Sequence, residues 1–237
     1  QVCFTNIKPT SKERSCMKKL GISEVENVLE ATHLVAGGRG VPLKRTPKLL
    51  AGIGRCRFVV DVEWLYQSSK ESKVLEGLEY ILCDAEAEKK WGFNMRSSLC
   101  RRPDNGILAG FSIYVDPAVA GTKGMGCPPL DEMKMVVTSA GGIWLAQLPK
   151  RGGPDPHSLL VITHPDALAA PMSKRSKSSP VKAAGRDLRT FLPETLFLGI
   201  LRQRMSWPDS LTVKGGQGDE SSFVQTATPA KRRRACK

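Results

Sequence analysis

The feature that most restricts the fold is the length of the apolar runs. Val2 to Ile7, Thr32 to Val35, Arg57 to Val60, Phe111 to Val115, Ile143 to Leu148, Leu159 to Thr163 and Asp187 to Leu192 are all short. Runs of this length bounded by turn residues read as strands buried on both faces, the pattern of a parallel sheet. None approaches the ~20 apolar residues of a membrane span, so no membrane partner is expected. Helical segments with their own start and stop residues lie between them. Ser11 to Leu20 is a basic helix ended by Gly21, and Asp61 is placed to cap Val62 to Ser69. The order strand, helix, strand, helix predicts a wound α/β architecture.

The cycle runs twice. Asp84 is read as the cap of one long helix from Ala85 to about Cys100, which Pro103-Asp104-Asn105-Gly106 breaks. After Phe111 to Val115, Asp131 is read as the cap of Glu132 to Ala140, and Gly141-Gly142 as its stop. Pro193 opens a last amphipathic helix, Glu194 to Arg204. The 237 residues, 41% of them hydrophobic, suffice for two cores of about 100 residues each. The expected division is a first module over 1–83, an inter-module linker helix over 84–106 and a second module over 107–213. A disordered basic insertion is expected at about 167–186 and a flexible basic tail over 214–237. The chain opens at Gln1 directly into apolar residues and is read as a piece of something longer, without a signal peptide.

The net charge of +13 is unevenly spread. Lys174 to Arg186 and Lys231 to Lys237 each hold five cations and no acid, and the rest is nearly balanced. The basicity therefore describes two segments rather than a folded surface. Lys231, Arg232, Arg233 and Arg234 form a short cluster that reads as a nuclear-import signal. The seven cysteines are scattered without a C-x-x-C pair, so neither a zinc site nor a disulfide framework is expected.

One helix does not obey the usual charge rule. Thr46 is a good N-cap, Pro47 takes the first helical position, and Gly54 is read as the stop. Yet Lys44, Arg45 and Lys48 crowd an end where the helix dipole is already positive. The plain reading is a solvated basic loop end. The alternative is an anion receptor, since a helix N-terminus presents free N–H groups to a phosphate or carboxylate.

Phe4-Thr5 ends the opening strand. Arg45-Thr46-Pro47-Lys48 is an R-T-x-K run, and Asp61-Val62-Glu63-Trp64-Leu65 carries an apolar tryptophan in the module's last helix. With the linker run Glu79 to Glu88 and Phe197-Leu198-Gly199-Ile200-Leu201 near the end, the chain resembles tandem BRCT repeats over most of residues 1–213. The likeness is to the repeats of checkpoint-mediator and PAX-interacting proteins. The resemblance implies two α/β modules, each a small parallel sheet flanked by helices, packed in tandem through a linker helix. It also implies a non-enzymatic scaffold that binds a phosphorylated protein tail, most specifically a phosphoserine histone peptide, in the nucleus at chromatin carrying DNA damage.

By position, Thr5 would give its hydroxyl to the phosphate, Asn6 its backbone N–H and Lys48 its ammonium. Arg45 would face the residue three after the phosphoserine or the peptide's free C-terminal carboxylate, with Pro117 and Glu194 lining the same side. Many relatives have glycine where this chain has Asn6; Asn tolerates left-handed geometry better than most residues. Many have threonine where this chain has Asp116, and an acid there would oppose acidic peptides. The charge-rule misfit at the helix end is what such a site requires, because phosphate brings about −2 charge and three acceptors.

No catalytic constellation is visible, and no metal or cofactor is expected. His33 lies in an apolar strand and reads as a satisfied core histidine, while His157 and His164 read as loop residues. Gly37-Gly38-Arg39-Gly40 lacks the spacing of a phosphate loop. Trp64 and Trp144 are expected in the core. A second function class is direct, weak nucleic-acid contact through the basic insertion and tail, where clustered cations would give steep salt dependence. Those segments lack interleaved aromatics.

Overall fold

A computed structural model describes residues 1–38, 40–149, 155, 157–169 and 188–207. Its first sheet contains β1 (Val2–Phe4), β2 (His33–Gly37) and β3 (Phe58–Asp61), in that order and parallel. Its second contains β4 (Ser112–Val115), β5 (Ile143–Leu145), β6 (Leu159–Ile162) and β7 (Thr190–Phe191), parallel in the order β5-β4-β6-β7. The central strands β4 and β6 are buried along their whole length, and β2 from Leu34 onward, as doubly covered parallel strands must be. Val2 bridges Glu24 in parallel beyond β1, so both sheets have the strand that opens the module inside rather than at an edge.

Around the first sheet run α1 (Ser11–Leu20), α2 (Pro47–Arg55) and α3 (Glu63–Lys70). The α1 bounds coincide with the sequence reading because both of its ends are local. Gly21 closes the helix in the left-handed region at φ 65°. At the start, Thr10 gives its backbone N–H, 2.7 Å, and its hydroxyl to the Glu13 carboxylate. Tyr66 of α3 donates its hydroxyl to the same carboxylate and ties the two helices together. Burial pushes the Glu13 carboxyl up, but these hydrogen bonds outweigh it and hold its pKa at about 2. The Asp61 side chain accepts the Glu63 N–H at 2.9 Å, the expected service to α3, although Asp61 itself belongs to β3.

The predicted single linker helix is two helices, α4 (Ala85–Trp91) and α5 (Met95–Arg101). Gly92 is left-handed at φ 61° and ends α4, while the Asn94 side chain accepts from Ser97 N and starts α5. Glu88 holds the corner by accepting the Met95 N–H at 2.9 Å. In the second module α6 (Leu130–Ser139) is preceded by Pro129, so Asp131 lies inside its first turn rather than at its cap. A short helix, α7 (Pro165–Ala169), takes the first residues of the stretch read as a disordered insertion; the rest of that stretch lies outside the described residues. The last helix is α8 (Pro193–Arg202), opened by Pro193 as expected.

The two modules meet on α2. Its residues Leu49 to Gly54 are all buried, which a surface helix with one apolar stripe would not be. Leu49, Leu50 and Ile53 join Met133, Val136 and Val137 of α6 and Leu196, Phe197 and Ile200 of α8 in one hydrophobic cluster. Gly54 does not stop the helix, which continues to Arg55. It is a contact point: a Cβ there would stand 2.9 Å from the Ser139 carbonyl oxygen. Arg102, just past α5, caps the far end by donating Nη1 to the carbonyls of Ile53 at 3.0 Å and Cys56 at 2.5 Å.

His33 stacks on Trp64 with ring centroids 4.5 Å apart and lies against Phe58. Burial, helped by the positive N-terminus and Arg57, pushes its pKa down to about 4. The sequence suggested a core histidine; His33 is neutral but only half-buried, because it opens β2 at the rim of the sheet and packs on the core from outside.

This packing is testable at two points. Gly54→Val forces α2 and α6 apart and should destabilise the chain by about 1–3 kcal/mol in urea unfolding; an unchanged midpoint would show that the helices do not meet at this point. His33 binds its proton more weakly folded than unfolded, so stability is complete above its ordinary pKa of 6.5 and falls as pH drops from there towards 4. The wild-type unfolding midpoint should therefore fall between pH 7 and 5 more steeply than that of His33→Phe.

Candidate functional site

The sequence-predicted phosphate residues come together. Thr5, Asn6 and Lys48 line one open cleft of about 630 Å³ between the end of β1, the start of α1 and the N-terminus of α2. Thr5 leaves β1 with its N–H on the Val35 carbonyl at 3.0 Å, which sets the strand's exit. The Thr5 and Thr46 hydroxyl oxygens are 2.7 Å apart, and Thr46 Oγ1 also accepts the Leu49 N–H at 3.1 Å. When Thr46 donates to Thr5, the Thr5 proton is left to point at an incoming oxygen. The N-cap of α2 thus also orients a side chain of the cleft.

Asn6 adopts φ 65°, the left-handed conformation that glycine would take most readily. Its side chain makes the geometry hold: Nδ2 donates to the Pro42 carbonyl at 2.9 Å and pins the turn to the loop that leads into α2. That loop is fixed again at Leu43, whose N–H donates to Asp84 Oδ2 at 2.9 Å while Asp84 Oδ1 caps α4 through Ala87. These two backbone donors hold the Asp84 carboxyl below its ordinary range. The Asn6 backbone N–H has no hydrogen bond among the described residues.

Sequence reasoning missed four charged residues of this cleft, the first being Lys8, just after the turn at Asn6. Arg14 of α1 lines it, and so do Glu24 and Glu26 from the segment beside β1. Arg14 Nε stands 3.7 Å from Glu24 Oε2. The cleft is therefore mixed in charge rather than uniformly basic. No local signal could have brought residues of α1 and of the β1 edge together with Lys48.

The second predicted group is partly assembled. Arg45 forks onto Glu194 at the start of α8, with Nη1–Oε1 2.7 Å and Nη2–Oε2 2.6 Å. This bidentate pair is the strong form of the arginine–carboxylate contact. The guanidinium also lies 5.8 Å from the Trp91 ring centroid and 5.5 Å from that of Phe197. The Arg45 side chain is 22% exposed and that of Glu194 49%, so the pair faces water. Pro117 is exposed and supplies no polar contact to either.

The corresponding corner of the second module is closed to anions. Asp116 follows β4 as Thr5 follows β1, with its N–H on the Ile162 carbonyl at 2.9 Å. Its carboxylate is fully buried and accepts from the Ala118 N–H and the Thr163 hydroxyl, both at 3.0 Å. Burial and then this charge push the Tyr114 and Cys127 pKa values up to about 12. The expectation that Asp116 would face an acidic peptide is corrected: the group is spent inside its own module.

Among the described residues no group of three histidine, cysteine or acidic side chains could hold a metal, and no helix is long and apolar enough to cross a membrane. The Lys231–Arg234 cluster and the basic segment 174–186 lie outside the described residues.

No family model matches the chain. It is 31% identical to human (Homo sapiens) mediator of DNA damage checkpoint protein 1 over 203 residues, which is 86% of this chain and 9% of that protein. It is 31% identical to PAX-interacting protein 1 of Bos taurus over 150 residues, 62% of this chain and 14% of that protein. The chain thus spans less than a tenth of the mediator and about a seventh of the PAX-interacting protein. Among solved structures it is similar to the BRCT5-BRCT6 domains of S. pombe Brc1, with a TM-score of 0.60, 21% identity and coverage of 88% of this chain and 95% of that one. Sequence similarity to the mediator and PAX-interacting proteins, joined to two parallel sheets packed through α2, α6 and α8, makes this chain a tandem BRCT repeat region of that group.

Proposed function

We propose that this tandem BRCT region is a phosphoserine-peptide-binding scaffold module of the DNA damage response, not an enzyme. We propose further that it reads the phosphorylated C-terminal tail of a histone variant at DNA double-strand breaks. The observation that carries the reading is the convergence of Thr5, Asn6 and Lys48 on one cleft at the N-terminus of α2. A hydroxyl, a free backbone N–H and an ammonium are the donors a phosphate dianion needs, and the helix end adds its dipole. Arg45 lies three residues before Lys48, just ahead of the Thr46 N-cap, and holds a carboxylate in its fork, which supports a role in recognising an anionic peptide terminus. The names of the relatives supply the DNA-damage context, and with it a nuclear location.

Lys48→Met should remove most of the preference for a phosphorylated histone-tail peptide over its unmodified parent with little loss of stability, because Lys48 is only half-buried at a helix end. Calorimetric titration with both peptides checks this, and undiminished selectivity would put the phosphate elsewhere.

Arg45 tests the terminus. Glu194 uses two of its five N–H donors, so an incoming carboxylate must share or displace that pair. With the free-acid and the amidated peptide, Arg45→Gln should cost about 1.5–3 kcal/mol against the acid and little against the amide. A coupling energy near zero in this cycle would remove the terminal-carboxylate reading and leave the phosphoserine cleft intact.

A further inference from the structure

A second cleft, this one basic, lies on the other side of Trp91. It has a volume of about 540 Å³ and is lined by Gly92, Asn94, Ser98, Arg101, Arg202 and Arg204 among others, with no acidic residue in the lining. Arg101 ends α5, Arg202 ends α8 and Arg204 follows it, so packing of the linker against the last helix gathers three guanidiniums. Helix C-termini attract cations, and part of the cluster is explained by that alone. Arg202 donates Nε to the Gly92 carbonyl and Nη2 to the Trp91 carbonyl, both at 3.1 Å, and Arg101 Nη1 donates to the Arg202 carbonyl at 3.3 Å.

Capping does not account for the rest. These bonds use three of the ten N–H donors that Arg101 and Arg202 carry, and Arg204 makes no side-chain hydrogen bond among the described residues. None of the three is paired with a carboxylate among the described residues. The cleft also contains an unsatisfied buried group: Ser98 is fully buried, yet its hydroxyl has no hydrogen-bond partner among the described residues. A buried hydroxyl without a partner costs about 1–3 kcal/mol and is rare. Three unpaired guanidiniums beside an orphaned hydroxyl are complementary to a tetrahedral oxyanion.

We propose that this cleft is a second anion site, which receives a phosphoryl group carried on a peptide. It is distinct from the cleft at Lys48. Glu194, partner of Arg45, is eight residues before Arg202 on α8, about 12 Å along the axis. Trp91 separates the two: its ring lies under Arg45, and its carbonyl holds Arg202.

The experiment uses the full chain carrying Lys48→Met, so that the first cleft is silent and its failure cannot be confused with that of the second. The probes are a Gly-Ser peptide amide with two phosphoserines, the same peptide with glutamate at both positions, and a short DNA duplex, each followed by fluorescence anisotropy. Arg101→Gln with Arg204→Gln should weaken the phosphopeptide at least ten-fold. Lys18→Gln with Lys70→Gln, an equal loss of charge elsewhere on the surface, should change it less than two-fold. Equal losses in the two pairs, or no binding in the Lys48→Met background, would overturn the site. Tighter binding of the glutamate peptide would overturn the phosphoryl assignment, and a larger loss for duplex DNA than for the phosphopeptide would make the cleft a nucleic-acid surface instead. Ser98→Ala supplies an independent reading. It should leave the Tm of the free protein unchanged or raise it, while shrinking the Tm rise caused by the phosphopeptide; a fall in the free Tm would show the hydroxyl to be already bonded.

Discussion

The structure depends on the complete burial of the middle of α2, Leu49 to Gly54. This one helix closes the core of the first sheet and also forms the seam against α6 and α8 of the second module. A helix packed on several sides must be apolar or small all round, and Leu49 to Gly54 meets that condition with two glycines. Their lack of a Cβ allows the approach of Leu34 on one side and the Ser139 backbone on the other. Because its middle is buried, its polar ends must be served from elsewhere. Thr46 caps the start internally, and Arg102 caps the end from the linker, just past α5.

The candidate site is a by-product of the same arrangement. The buried middle of α2 leaves its N-terminus projecting at the junction of the modules, where Lys48 meets the turn after β1 and Arg45 meets α8. Asn6 and Asp84 fasten the loop that brings these residues in, each through a bond to backbone of the 42–43 segment. A rigid approach lowers the ordering cost that a ligand would otherwise meet. The two modules are not equivalent in this respect. A hydroxyl follows β1, whereas a buried carboxylate follows β4 and is consumed by Thr163 and a backbone N–H.

Charge repeats the theme at the second seam. The linker is two helices because Gly92 and Asn94 supply a stop and a start only two residues apart. The break turns α5 against α8, and two helix C-termini then bring Arg101, Arg202 and Arg204 to one place. Cations at helix C-termini are stable individually, so their accumulation costs each helix nothing locally.

What the sequence by itself determined was whatever is settled within a few residues. The α1 bounds from Ser11 to Leu20, the Thr46-Pro47 start of α2, the Pro193 start of α8 and the buried strands β1, β4 and β6 were legible, because caps, turns and apolar runs act over one helical turn or one strand; the run from Ile143, read as buried, is instead the exposed edge strand β5. Thr5, Asn6 and Lys48 could be named through family resemblance, and only packing placed them in one cleft. Tertiary structure alone decided that Gly54 is a contact rather than a stop, that Arg14, Glu24 and Glu26 share the cleft, and that Asp116 is hidden. It also decided that Arg45 meets Glu194 across 149 residues. The physical reason is range. A cap is satisfied by its immediate neighbours, whereas the partner of a guanidinium or the neighbour of a glycine Cα is chosen by how separate helices pack, and no local pattern records that.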